Sequence, residues 1–231
     1  FLSGRRVLLM VALAALPVLL ALRQGGTEPK VIVEGFAKLY QMLILGVLLP
    51  IVGLILGTSV FGAEVDDGTI TYVLGKPVAR WRIVLTRIVA AGAATAAVLV
   101  PSTLAAALVG LRGANAPGVA WACTAAVAIG SFLYAALFVA FSLSTRRALV
   151  AGLAYVVLWE GSLSNTFGGS RALSIRQYTM SFAEWMAGTS GEAINARLEP
   201  GVALAMAATV AVLATLYAIR RLRRFEIGEA V

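Results

Sequence analysis

The chain alternates long apolar runs with short polar links, and the runs are close to the length that crosses a bilayer. A spanning helix takes about 20 predominantly apolar residues. On that criterion six spans are predicted, at about 5–22, 39–62, 83–111, 118–143, 148–163 and 201–219. Arg5 and Arg6 open the first, and Pro17 is expected to kink it. Pro101 is expected to do the same in the third, and Pro200 stands at a favourable start for the sixth. The fold class is therefore all-α, a polytopic membrane domain of six helices formed by residues 1–231 as one unit.

The links between the runs are polar stretches at 23–38, 64–82, 112–117, 144–147 and 164–199, with a basic tail from 220 onward. Within the longest link, 173–188 repeats apolar residues at helical spacing, through Ile175, Tyr178, Phe182, Trp185 and Met186. It is too polar to span. It predicts an amphipathic helix that lies at the outer interface, dips back into it, or caps the outer mouth of the domain. The stretch 165–170, Asn-Thr-Phe-Gly-Gly-Ser, breaks the fifth helix ahead of it.

Charge sets the orientation. Six spans leave both termini on one side. That side carries Arg5, Arg6, Lys76, Arg80, Arg82, Arg87, Arg146, Arg147, Arg220, Arg221, Arg223 and Arg224. The other side has only Arg23, Lys30, Lys38, Arg112, Arg171, Arg176 and Arg197. The positive-inside rule places the termini and the 64–82 link in the cytoplasm, and 164–199 outside. Trp81, Trp121 and Trp159 fall near the predicted span ends, as interfacial aromatics do. The first run could pass for a signal peptide, but Arg23-Gln24 follows it without a small-residue cleavage pattern, so it is read as a retained span. The chain opens on Phe1 rather than Met, so a preceding piece is expected.

Composition narrows the function classes. The chain is 60% hydrophobic and 13% charged, against about a quarter charged in a soluble domain. The net charge of +8 is explained by basic loops beside the spans, and no nucleic-acid partner is expected. There is no His and one Cys, Cys123, so a His–Cys zinc cluster, an internal disulfide and a Ser–His dyad are all excluded. Asp66 and Asp67 are the only aspartates, which argues against an ordered aspartate metal site; no metal or catalytic residue is expected. No Walker A pattern is present, because Gly75-Lys76 is followed by Pro77 and lacks the upstream glycine.

Two features within the spans have more than one use. Gly53 and Gly57, with Gly46 further up the second span, permit close helix approach, either inside one subunit or across a dimer. Glu160, beside Trp159 near the end of the fifth span, sits at the headgroups if the span tilts; if it faces an internal cavity it is a candidate substrate-path residue. Neither the ring of polar residues of a channel nor the buried ionisable groups of an ion-coupled transporter is visible.

The 64–82 link reads as a docking element. Asp66, Asp67 and Thr69 suit a helix N-terminus. Ile70, Val73 and Leu74 form one apolar face, Gly75 suits the C-terminal cap, and Pro77 stops continuation. The pattern Glu64-x-x-x-Gly68-Thr69-Ile70-x-x-x-Leu74-x-x-Pro77-x-x-Arg80 resembles the loop after the second span in type 2 ABC transporter permeases, including the group similar to the nitrous-oxide-reductase maturation permease. The resemblance also covers the six-span layout, the Arg5-Arg6 start and the broken fifth helix before an outer amphipathic segment.

That resemblance implies a bacterial plasma-membrane exporter subunit with no cofactor of its own. ATP and Mg would be bound by two copies of a separate ABC ATPase. The other partners implied are a second copy of the chain, or a homologous permease, and membrane lipids. The residues that would couple to the ATPase are Glu64, Asp67, Gly68, Thr69, Ile70, Val73, Leu74, Pro77 and Arg80, as a short cytoplasmic coupling helix. Members of that family usually carry an amphipathic elbow helix before the first span. Two rivals remain: a membrane scaffold or assembly factor that holds a soluble partner by the same loop, and an ion-coupled secondary transporter. The substrate is not legible in the sequence.

Overall fold

A computed structural model describes residues 4–26, 28–66, 79–145, 147–163, 173–188 and 193–224. Those residues form helices α1 (Gly4–Leu22), α2 (Pro29–Leu39), π1 (Tyr40–Leu48), α3 (Leu49–Asp66), α4 (Arg80–Gly110), α5 (Pro117–Ser144), α6 (Ala148–Ala154), π2 (Tyr155–Leu163), α7 (Ile175–Ala187) and α8 (Pro200–Arg224). No strand occurs among the described residues. Four helices are long and apolar enough to cross a membrane, at Pro29–Val60, Arg80–Gly110, Pro117–Ser144 and Pro200–Arg223. Two shorter apolar helices, Met10–Leu22 and Ala148–Glu160, accompany them.

Helix α5 is the axis. It packs against α3, α4, α6, α7 and α8. Its composition makes this possible: small residues let neighbouring backbones approach, as is general between membrane helices. A Cβ on Gly130 would stand 2.9 Å from both Leu49 and Thr179, so α3 and α7 meet α5 where it has no side chain. Gly92 of α4 likewise receives the Phe132 ring. The main apolar core runs through Tyr40, Leu45, Leu49, Tyr134, Phe138 and Tyr178, and a second cluster joins α4, α5 and α8 around Val84, Ile88, Val139 and Leu222.

Boundaries depart from the sequence expectation in three places. The second rod begins at Pro29, not Leu39, because α2 runs unbroken into π1 and α3. Its polar residues did not forbid a helix: Lys30 and Lys38 point outward while Phe36, Ala37 and Leu39 are buried. Helix α8 continues through the basic tail to Arg224, since Leu222 is buried and Arg221 Nε donates to the Leu143 carbonyl at 3.3 Å. That carbonyl lies in the last turn of α5, where a cation is favoured. The third departure is the wide π geometry of residues 40–48 and 155–163, which periodicity alone does not predict. Pro50 lies two residues beyond π1.

Candidate functional site

The two π segments and a set of buried polar residues come together where α7 rests on α5. Helix α7 is more deeply buried than an interfacial amphipathic helix would be. Along it Ile175, Gln177, Tyr178, Thr179, Met180, Ser181, Phe182 and Ala183 are all buried, while Trp185 is 68% exposed. Three of the residues spaced as its apolar face, Ile175, Tyr178 and Phe182, do face inward; Trp185 and Met186 do not. Its buried hydroxyls are satisfied by carbonyls, Thr179 donating to Ile175 at 2.9 Å and Ser181 donating to Gln177 and Leu198, each at 3.0 Å.

The N-terminus of α7 is closed by a buried carboxylate. Glu160, 3% exposed, lies in π2. Its Oε2 accepts from the Ser174 hydroxyl at 2.6 Å. Its Oε1 accepts from the Ile175 amide at 3.0 Å, the Tyr134 hydroxyl at 3.1 Å, the Tyr155 hydroxyl at 3.3 Å and the Arg176 amide at 3.5 Å. Ser174 is also the N-cap and accepts from the Gln177 amide at 3.3 Å. The first amides of a helix lack internal acceptors and carry the positive end of its dipole, so an anion there is both paired and stabilised. Beside it, Trp159 Nε1 donates to the Leu173 carbonyl at 3.3 Å. Glu160 is therefore enclosed by protein groups.

The same helix is tied to π1. Arg176 donates from a terminal nitrogen to the Gln41 carbonyl at 3.1 Å, and Gln41 in turn donates to the Ile194 carbonyl. Gly46 leaves room for this contact: a Cβ there would stand 3.1 Å from the Gln41 carbonyl oxygen and 3.9 Å from the Arg176 guanidinium carbon. Tyr134, Tyr155, Ser174, Arg176 and Gln41 were not singled out from the sequence. Only Ser174 carried a local sign, as a helix-capping residue type ahead of 175–187.

Gly53 and Gly57 face α5. A Cβ on Gly53 would stand 3.1 Å from Tyr134 Cβ, and one on Gly57 would stand 2.8 Å from Phe138 Cβ. Their open faces are filled within the chain.

The described residues also show the frame of the 64–82 link. Glu64 lies in the last turn of α3, and Arg80 opens α4. The other residues expected to couple there, Asp67, Gly68, Thr69, Ile70, Val73, Leu74 and Pro77, lie outside the described residues. Arg87 donates to the Val60 carbonyl, holding α4 to α3 just inside the link. Trp81 is half exposed with the Arg82 guanidinium 5.3 Å from its ring centre, a cation–π contact at the helix start.

Long apolar helices, small-residue packing and exposed Leu, Val and Trp on the outer faces define a multi-pass helical membrane protein. Residues 5–162 match the family of ABC-2 family transporter proteins, and the chain belongs to that family. No curated protein matches it. The matched region runs from α1 into π2 and takes in the whole 64–82 link.

Proposed function

We propose that the chain is the membrane subunit of an ATP-driven exporter, akin to the nitrous-oxide-reductase maturation group. It would form the translocation path together with a second copy or a homologous permease. Two separate ABC ATPase subunits would bind ATP and Mg and dock on the coupling helix of the 64–82 link. ATP-driven closure of the ATPase pair would push that helix and open the path outward. The supporting observation is that the family match continues through the Glu64–Arg80 motif, with the flanking helices α3 and α4 tied together by Arg87. In this reading α1, the rod from Pro29, α4, α5, the helix from Ala148 and α8 are the six spans. The termini and the link are then cytoplasmic, in a bacterial plasma membrane.

The experiment is co-purification of the full chain with its ATPase from the same membrane, followed by ATP turnover in the presence of transport substrates. The reading expects no ATP binding by the chain alone and stable capture of the ATPase. ATP hydrolysis by the isolated chain would overturn it. Capture without any substrate-dependent turnover would favour a scaffold, and transport driven by an ion gradient in the absence of an ATPase would favour a secondary transporter.

A further inference from the structure

A cleft of about 450 Å³ opens between the end of α1, the start of α2 and the end of α4. Arg23 and Arg112 both line it, together with Leu22, Gln24, Val31 and Gly110. Neither arginine side chain has a hydrogen-bonding or ion-pair partner among the described residues. No acidic residue lines the cleft among the described residues; Glu28 stands at the N-cap of α2 and Glu34 nearly two turns further along. Glu28 makes no side-chain cap bond, so the first amides of α2 add their positive dipole end to the same region. The floor is held in shape: Gln24 Nε2 donates to the Gly35 carbonyl at 3.1 Å, and Phe36 packs where Gly110 has no side chain.

The placement fixes the kind of ligand. Two membrane-crossing rods begin or end at this cleft, so it lies at the boundary of the hydrocarbon layer. Its rim carries apolar side chains that face out of the protein, with Leu22 58% and Val31 53% exposed. Guanidinium groups match phosphate oxygens in charge and in donor geometry. Two arginines without a partner among the described residues, beside an outward apolar rim, fit a molecule with a phosphate at one end and hydrocarbon at the other. We propose that this cleft binds the headgroup of an anionic phospholipid, whose phosphate lies between Arg23 and Arg112 while its acyl chains run down past Leu22 and Val31. The site lies at the opposite end of the bundle from the 64–82 link, and it depends on the chain being in a bilayer rather than on any ATPase.

Native mass spectrometry of the detergent-solubilised full chain tests it, with phosphatidylglycerol and phosphatidylcholine titrated in parallel. Phosphatidylglycerol is expected to bind about 25-fold more tightly, at roughly fivefold per basic side chain beside an anionic headgroup. The Arg23→Gln/Arg112→Gln double variant should bind the two lipids alike, and Arg23→Lys/Arg112→Lys should keep part of the preference. Arg197→Gln, outside the cleft, should keep all of it. Equal affinity of the unaltered chain for the two lipids overturns the proposal without any variant being needed. Displacement of phosphatidylglycerol by inorganic phosphate at equal concentration also overturns it, since the cleft would then read a soluble anion.

Discussion

The Ser174 hydroxyl donates to the Glu160 carboxylate at 2.6 Å while accepting from the Gln177 amide. One serine thus caps α7 and joins it to π2. With the Ile175 amide on the same carboxylate, the turn entering α7 is fixed from both sides.

The first prediction concerns that carboxylate. Glu160→Ala leaves a serine hydroxyl, a tyrosine hydroxyl and a helix amide buried without their acceptor. Each such group costs about 1–3 kcal/mol. Stability should fall by about 3 kcal/mol or more, read as the denaturant midpoint of the detergent-solubilised chain followed by tryptophan fluorescence. Glu160→Gln keeps one carbonyl oxygen and should lose about half as much. An unchanged midpoint for Glu160→Ala would contradict the role given to it.

Arg176 supplies a second test. Lysine carries the same charge but not the planar fork that reaches the Gln41 carbonyl past Gly46. Arg176→Lys should destabilise by about 1 kcal/mol and Arg176→Met by about 2 kcal/mol, on the scale for hydrogen bonds from charged groups. Hydrogen exchange should rise in 175–187 and in 40–48 together, and exchange confined to one of the two would count against the link between them.

Close packing of α3 on α5 gives a third. Gly57→Val places a branched side chain where a Cβ already lies 2.8 Å from Phe138, and overpacking costs about 1–3 kcal/mol. Gly201→Ala, at the start of α8 with open space around it, should be neutral or slightly stabilising. Thermal melting in detergent separates the two, and similar behaviour would show that α3 and α5 are not closely packed at Gly57.

The coupling reading gives a fourth. On that reading the apolar face of the link meets the ATPase rather than the chain's own core, so Ile70→Asp with Leu74→Asp should abolish ATPase capture while leaving the melting temperature within about 2 °C, on the scale of about ±0.5 kcal/mol for changes away from a core. Undiminished capture would remove the apolar face of the link from the docking surface.

The all-helical, membrane-length character of the chain was legible in the sequence because apolar runs of bilayer length have few other uses, and four of the runs are described helices long and apolar enough to cross. Helix ends were less so. The helix from Pro29 looked like a polar link because Lys30, Glu34 and Lys38 were read without their spacing, which leaves Phe36, Ala37 and Leu39 for the interior. The sixth span was expected to end at about 219, whereas α8 runs to Arg224 with Leu222 buried. The glycines marked close approach but not against what; only the fold shows Tyr134 and Phe138 opposite them. The polar centre was the least legible. Glu160 stood out as the charge in a span, but its partners come from residues 134, 155 and 174–176, and no local pattern connects those. Buried Gln177, Thr179 and Ser181 lowered the apparent apolarity of α7, which is why it was read as an amphipathic helix at the outer interface, dipping back into it or capping the outer mouth.

The two π segments interrupt different rods, one running from Pro29 to Asp66 and the other beginning at Ala148. Helix α7 grips the first through Arg176 and the second through its own amides on Glu160. It is therefore a cross-brace between two beams. Spreading the beams there would pull a guanidinium from a carbonyl or uncap a helix, in addition to parting α3 from α6 where Leu54 packs against Gly152.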